Sequence, residues 1–299
     1  MNKTPALDDL RVFLEVARRA SFAAAAKALG QSPAYVSKRI RLLEEDFGVP
    51  LLHRTTRRVI ITDEGERALH WAQRILEDMG HMVQDVAGPL GEPLGLLRIS
   101  TSFGYGRHVV APALSQLVRK HPGLQVRLEV FDRLVDVVAE GFDLDIRVGD
   151  DISPHLIAQR LTSNHRVLCA SPSYVRRRGC PRNVAELSSH DCLVIKERDH
   201  PFGVWRLACE ERQETVKVRG PLSANHGEMV VQWALDGLGI ALRSQWDVAQ
   251  HFHSGRLVQV LPEWTQQANV WAVYQPRRPV AAKVRACVAF LQDHLNPHS

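Results

Sequence analysis

The stretch Ser21–Asp46, SFAAAAKALGQSPAYVSKRIRLLEED, constrains this chain more than any other. Ala23 to Leu29 predicts a compact Ala-rich helix. Gly30 ends it, because glycine accepts the left-handed conformation common just past a helix C-terminus. Ser32 is a good N-cap for the next helix, and Pro33 is tolerated at the first helical position, where its missing N–H costs nothing. In that second helix Val36, Ile40, Leu43 and Phe47 follow the spacing of one buried face. Ala34, Ser37, Lys38 and Arg41 fall on the opposite side. A small, polar and basic outer face with a slim N-terminal half suits a DNA major groove. The acidic Glu44, Glu45 and Asp46 come last, where such a helix leaves the phosphates. The competing reading is a pair of core helices with a solvated basic face.

Charge placement favours the first reading. Residues 1–60 hold eleven basic and six acidic side chains, so this fifth of the chain supplies the whole net charge of +5. A polyanionic partner is expected for it. At 299 residues the chain is long enough for two or three domains. Cys169, Cys180, Cys192, Cys209 and Cys287 are scattered, odd in number and without CxxC spacing. This argues against a disulfide framework or a zinc site and for a reducing compartment. The opening MNKTPALDDL has no apolar signal core, and no run approaches transmembrane length. A cytoplasmic protein with no membrane partner is expected.

In chain order, Leu7–Arg19 predicts a first helix with Leu10, Phe13, Leu14 and Ala17 as its buried stripe. After Phe47-Gly48, the run VPLLHRTTRRVIITDEG predicts two short strands around a basic tip, Arg54 to Arg58. An arginine-rich hairpin beside a recognition helix is a wing, which grips phosphates or the minor groove. Thr62 caps a long helix running to about Ala87, with Asp63 and Glu64 at its positive end. Ala72, Ile75, Met79, Met82 and Val86 have coiled-coil spacing, which reads as a dimerisation seam or as an ordinary amphipathic stripe. Gly88 to Gly95, GPLGEPLG, marks a boundary. Beyond it strands and helices alternate. Strands are expected at Leu96–Thr101, Gln125–Phe131, Leu144–Val148, Val167–Ala170, Cys192–Ile195, Ile240–Leu242, Leu257–Leu261 and Asn269–Tyr274. Helices are expected at Val109–Lys120, Leu134–Glu140, Glu228–Asp236 and Ala281–Leu295. The alternation implies parallel sheets with helices on both faces, in two lobes around a cleft that suits a small ligand.

The block AAAAKALGQSPAYVSKRIRLLEEDFGVPLLHRTTRRVIITDEG, with the long helix and bilobed remainder, resembles the LysR-type transcriptional regulators over essentially the whole chain. Within that family SFGYGRHVVAPAL, DRLVDVV, DLDIRVGDDI, CLVIKERDHPFGVW, NHGEMVVQWALDG and ANVWAVY look like the regulators of D-malate and L-tartrate use. The resemblance implies an α+β N-terminal winged helix-turn-helix (1–62), a dimerising linker helix (63–88) and a hinge (89–94). A bilobed α/β effector domain of periplasmic-binding-protein type follows (95–299), with lobe I about 95–164 and 268–299 and lobe II about 165–267. It implies a double-stranded DNA operator, a small organic acid effector, dimers that pair into tetramers, contact with RNA polymerase, and no cofactor or metal. DNA contacts are expected from Ser32, Pro33, Ala34, Tyr35, Ser37, Lys38 and Arg41 on the helix and from Arg54, Thr55, Arg57 and Arg58 on the wing. Many relatives carry glutamine at the start of the recognition helix. Ser32-Pro33-Ala34 departs from that, which shifts the expected contacts toward Ser37, Lys38 and Arg41.

A C4 hydroxy-dicarboxylate needs cations or N–H groups at both ends. Ser100, Thr101, Ser102 and Phe103 follow the first effector strand, where backbone N–H groups of a helix start favour a carboxylate and where family members hold effectors. Ser223 and Asn225 occupy the equivalent place in lobe II. The charged loop Lys196-Glu-Arg198-Asp-His200-Pro-Phe202 is placed to close over an anion. A bidentate arginine matches a carboxylate, with Arg147, Arg198 and Arg243 as candidates. A structural role is the stronger reading for Arg147, and Arg243 is the better contact. The rival class is an enzyme or carrier. Gly104-Tyr-Gly106 is only a fragment of a dinucleotide loop, no GxSxG, HExxH or P-loop occurs, and the fourteen histidines show no shared ligand spacing.

Overall fold

The computed structural model describes residues 4–54, 59–86, 92–196, 202–276 and 280–296. The chain divides into two compact units, Met1–Pro89 and Leu90–Ser299.

The first unit begins with three helices, α1 (Leu7–Arg19), α2 (Phe22–Leu29) and α3 (Pro33–Phe47). The Ser21 hydroxyl accepts from Ala24 N at 3.3 Å, and Ser32 accepts from Tyr35 N at 3.1 Å, so each helix starts on the cap its sequence supplies. Gly30 and Gly48, at φ 63° and 71°, end α2 and α3. Leu10, Val12, Phe13 and Val16 of α1, with Val36, Ile40 and Leu43 of α3, fill one core. The α1 stripe is therefore rotated from the expected one: Leu14 and Ala17 are only half-buried, because α1 packs against α2, α3 and the following long helix at once. Phe47, expected in the core, is exposed at the end of α3.

Strands β1 (Leu52–Arg54) and β2 (Val59–Ile61) pair antiparallel as the wing. The Glu44 carboxylate accepts from the backbone N–H groups of Leu51 and Leu52 at 2.9 and 3.2 Å, tying the wing to α3. Helix α4 (Asp63–Val86) follows, capped by Thr62, whose hydroxyl accepts from Gly65 N and donates to Pro50 O, both at 2.9 Å. A side chain at Gly65 would meet Leu51 O at 2.1 Å, so glycine alone allows this approach. Of the expected seam on α4, Ala72 packs into the unit's own core, while Ile75 and Met82 stay exposed beside Trp71 and Val83.

The second unit holds two sheets. Its elements are β3 (Gly95–Thr101), α5 (Phe103–Tyr105), a π-helical turn Gly106–Val110, α6 (Ala111–Lys120), β4 (Leu124–Val130), β5 (Leu144–Val148), β6 (Ile157–Thr162), β7 (His165–Ala170) and α7 (Pro172–Arg178). Then come β8 (Cys192–Ile195), β9 (Val204–Cys209), β10 (Arg212–Lys217), β11 (Ser223–Ala224), α8 (Gly227–Leu235), β12 (Ile240–Ser244), α9 (Gln245–His253), β13 (Val258–Gln267), β14 (Val270–Tyr274) and α10 (Ala282–Leu295). Lobe I is a five-stranded sheet in the order β4-β3-β5-β14-β6, and lobe II is a seven-stranded sheet in the order β10-β9-β13-β7-β12-β8-β11. Helix α10 packs Val284, Cys287, Val288 and Leu291 back onto the first sheet.

Both sheets are mixed, which corrects the expectation of parallel ones. Strand β3 runs parallel to β4 and β5, but β14 returns antiparallel between β5 and β6. In lobe II only β11, β8 and β12 are parallel. The chain crosses between the lobes twice, after β6 and after β13, and each crossing reverses a strand.

Leu134–Glu140 is not a helix but a turn. Asp136 accepts from Val138 N and Ala139 N, both at 3.0 Å, and Arg133 pairs with Glu140. Val135, Val137 and Phe142 are buried together, a spacing that does not follow a helical face. The helix expected from Val109 begins instead at Phe103, and the π-helical turn carries it through Gly106. The hairpin β9–β10, strand β6 and helices α7 and α9 lay outside the expected series. Among the described residues no helix is long and apolar enough to cross a membrane.

Candidate functional site

The first unit presents one outward face on α3. Ser32, Pro33, Ala34, Lys38 and Arg41 are exposed, while Tyr35 and Ser37 are half-buried on the same helix. Arg41 meets Glu45 at 3.4 Å, an exposed pair worth little in water and easily exchanged. Lys38 has no ion partner among the described residues. Arg39, between them, is turned inward: its guanidinium lies 2.5 Å from Asp9, which is almost fully buried. Burial pushes the Asp9 carboxyl above its usual value, and Arg39 pulls it back in part. The wing brings Arg54 to the end of β1; Thr55, Arg57 and Arg58 lie outside the described residues.

In the second unit a cleft of about 780 Å³ runs between the two lobes. Its best-defined end is built from three parallel strand termini. Strands β11, β8 and β12 stop together, so Asn225, Lys196 and Ser244 emerge side by side and all line the cleft. Lys196 N donates to Ala224 O at 2.7 Å, which holds the first two in line. Helix α8 starts at Gly227 on one flank. From lobe I, Ser102, Gly104 and Tyr105 face the same space. Strand C-termini with a helix start beside them are where open α/β folds bind small ligands.

The cleft gathers some of the expected contacts and leaves others elsewhere. Ser102, Asn225, Arg147 and Arg243 line it. Ser100 and Thr101 are buried in the sheet. The Ser100 hydroxyl donates to Asp145 Oδ1 at 2.8 Å, and that of Thr101 donates to Ile146 O at 2.7 Å. Both side chains are therefore committed to holding β3 on β5. Phe103 is exposed and stacks edge-on against His226. Ser223 and Phe202 are exposed away from the cleft lining, and Arg198 and His200 lie outside the described residues.

The arginines are neutralised where they stand. Arg147 is 5% exposed and bonds Asp145 through Nε at 3.0 Å and Nη2 at 2.8 Å. Arg243 binds Asp247 through Nε at 2.9 Å and Nη2 at 2.5 Å. Its guanidinium occupies the space a side chain at position 227 would take, since a Cβ there would lie 2.1 Å from Nη2. Lys196 and Arg206, by contrast, line the cleft, are exposed and have no ion partner among the described residues. Sequence reasoning missed Arg206, Tyr105 and Trp246 as cleft residues. Arg206 lies on the hairpin that alternation did not reveal, and Trp246 sits at the first turn of the unforeseen α9.

Contacts between the lobes close one side. Glu228 at the start of α8 receives Arg107 at 3.1 Å and His108 at 3.2 Å. Tyr105 and Trp246 meet edge to face at 5.3 Å between ring centres. Burial pushes the Tyr105 hydroxyl well above its usual value, so it stays protonated.

A three-helix unit with a basic outward face and a wing, joined in sequence to a two-lobed α/β unit with a cleft, defines a class of regulator, and comparison with known proteins agrees. The profile of the lysR-family bacterial regulatory helix-turn-helix protein matches residues 7–66, and that of the LysR substrate binding domain matches residues 90–296. The chain belongs to the LysR family and is a DNA-binding transcriptional regulator, not an enzyme. It is 59% identical to the HTH-type transcriptional regulator DmlR of Escherichia coli K12 over 298 residues, covering 100% of this chain and 97% of the relative. It is 48% identical to the transcriptional activator TtdR of the same strain, covering 97% and 94%. Among solved structures, CrgA from Neisseria meningitidis superposes with a TM-score of 0.60 at 28% identity, covering 98% of this chain and 99% of the other. The full-length virulence activator AphB from Vibrio cholerae superposes with a TM-score of 0.59 at 25% identity, covering 96% and 98%.

Proposed function

We propose that this regulator is switched by a C4 hydroxy-dicarboxylate, such as D-malate or a tartrate, bound between the effector lobes. The observation that carries the reading is the row Asn225, Lys196 and Ser244, with Ser102 opposite. It offers an ammonium with no ion partner among the described residues, an amide and hydroxyls at the ends of parallel strands, a set suited to a carboxylate bearing a hydroxyl. The motif resemblance to regulators of D-malate and L-tartrate use supports it. Arg147 and Arg243 contribute as positioned cations and Asn225 and Ser102 as direct contacts; Arg198 and His200 belong to the segment that follows Lys196. DNA contacts come from Ser32 to Tyr35, Ser37, Lys38 and Arg41 on α3 and from Arg54, Thr55, Arg57 and Arg58 on the wing. The protein acts in the cytoplasm as a dimer or tetramer on its operator, within reach of RNA polymerase. The exposed Ile75 and Met82 on α4 suit such self-association.

The size of the cleft supports a second reading, a larger effector. Nine heavy atoms, each given the roughly 30 Å³ of a liquid water, fill only about 270 Å³ of the cleft. A thermal-shift panel on the purified protein decides between them, using D-malate, L-malate, the tartrates, succinate and citrate. A ligand at a hundredfold excess over Kd stabilises the folded state by about 2.7 kcal/mol. A clear rise in Tm with one hydroxy-diacid is expected. No rise with any of these acids sinks the diacid reading. Salt-dependent binding to duplex DNA, measured on the same preparation, tests the DNA face separately.

A further inference from the structure

Lobe II lines the cleft with cations, yet lobe I sets an acid against them. Asp132, just past the end of β4, is among the lining residues. Its carboxylate stands where the two lobes meet. Oδ1 accepts from Phe103 N at a long 3.4 Å, and Oδ2 lies 3.9 Å from His226 Nε2, beyond hydrogen-bond reach. Phe103 follows Ser102 in the chain, and His226 follows Asn225. The groups beside Asp132 therefore adjoin both residues offered above as direct contacts. The side chain is open to the solvent of the cleft, with 20% of its surface exposed. A carboxylate has about four acceptor sites, and among the described residues Asp132 fills one of them, with the long bond from Phe103. Asp150, another acid of the lining, is already committed: its Oδ1 accepts from Asn269 Nδ2 at 3.0 Å and from Trp271 Nε1 at 2.7 Å.

An acid inside a site for anions is selective by its chemistry. An ionised carboxylate only accepts hydrogen bonds. A ligand carboxylate brought to Asp132 meets a second acceptor of the same charge, which costs affinity. A ligand hydroxyl brought there donates, and a bond to a charged acceptor is among the stronger ones. An effector that turns one carboxylate to Lys196 and Asn225 thus gains by turning a donor, and loses by turning its other carboxylate, toward Asp132.

We infer that Asp132 is a specificity-determining residue of the cleft, which accepts a hydrogen bond from the effector's hydroxyl and disfavours a carboxylate in that place. The inference rests on the diacid reading above. The experiment is calorimetric titration of the full-length protein with D-malate, L-tartrate, succinate and fluorosuccinate. Succinate lacks the hydroxyl, and fluorosuccinate carries in its place a fluorine of similar size that cannot donate. The unmodified protein should bind one of the hydroxy-acids at least about tenfold more tightly than either of the other two, the scale of one hydrogen bond to a charged group. Asp132→Asn keeps the shape and an acceptor for Phe103 N but removes the charge. It should reduce that preference to about threefold or less, and Asp132→Ser should do the same. The ratio is the readout, because loss of a negative charge raises the affinity of every anion. A uniform rise for all the acids, with the preference intact, overturns the assignment and leaves Asp132 as background charge. Equal binding of fluorosuccinate and the hydroxy-acids to the unmodified protein overturns it without any variant. Failure of the unmodified protein to bind any of the acids overturns the diacid reading itself, and this assignment with it.

Discussion

Arg243 shows how much a single neighbour changes what a residue can do. Alone it would be a strong carboxylate ligand, but Asp247 already holds it through two nitrogens, and Gly227 makes the room its guanidinium fills. It is better suited to fixing the start of α8, and the field there, than to meeting an anion directly. Gly227→Ala would push the far end of that flexible side chain off Asp247. Diacid affinity should fall several-fold while operator binding in a mobility-shift titration stays unchanged; unchanged diacid affinity would show that the cleft tolerates the shift. Asp9 and Arg39 make the same point in the other unit. Burial holds the Asp9 carboxyl above its usual value, so the folded state binds that proton more tightly than the unfolded chain does. The resulting stability is present at acid pH and is lost as pH rises through the folded value. Removing the cation raises that value further. In urea unfolding, Arg39→Met should therefore lose little stability near pH 4 and progressively more toward pH 7. A deficit that does not vary with pH would show that the pair contributes only packing.

At the level of elements, α3 divides its charges by task. Arg39 secures the helix to α1, while Lys38 and Arg41 remain available on the outer face. If Lys38 meets a phosphate, Lys38→Ala should weaken binding to all duplexes alike. The slope of log K against log salt should become shallower by about one. A loss confined to one operator sequence, with the slope unchanged, would instead assign Lys38 to a base. The wing is set by Glu44, one of the acids that the sequence places where the helix leaves the phosphates. Its carboxylate carries two backbone N–H groups of the following segment, so its role is local architecture and not repulsion of phosphate.

Across the effector unit, the two lobes are joined by two crossings that lie side by side. Asn164 in the first donates to Ala268 O at 2.8 Å and to Ser244 Oγ at 3.2 Å, and Ala268 N returns a bond to Asn164 O at 3.0 Å. One side chain thus ties both crossings to the end of β12, next to the row that faces the ligand. Asn164→Ala should lower Tm by about 2–6 °C, the effect of losing roughly 1–2 kcal/mol in a unit of this size. Effector affinity should fall with it although Asn164 is not among the cleft-lining residues. A fall in Tm with affinity intact would show that the crossings and the cleft are energetically separate.

Much of the N-terminal unit was legible because its signals are local. A serine cap, a proline at the first turn, a glycine at the end and an apolar spacing of three or four act within a few residues, and α2, α3, the wing and the start of α4 follow them. The alternating strands and helices likewise announced a bilobed α/β unit. What the sequence could not determine is what depends on residues far apart in the chain. Strand direction in the mixed sheets follows from where the chain crosses between lobes. Leu134–Glu140 carries a helical composition, but Asp136 caps the backbone N–H groups of Val138 and Ala139 and Arg133 pairs with Glu140, and these side-chain bonds hold it as a turn. Ser100 and Thr101 have the right chemistry for an anion, yet their hydroxyls are spent on β5, some forty-five residues away. Lys196 was legible only as part of a charged loop, and Trp246 carries no motif. They face the cleft because three strands end together and a helix starts beside them, an arrangement that exists only once the sheet has formed.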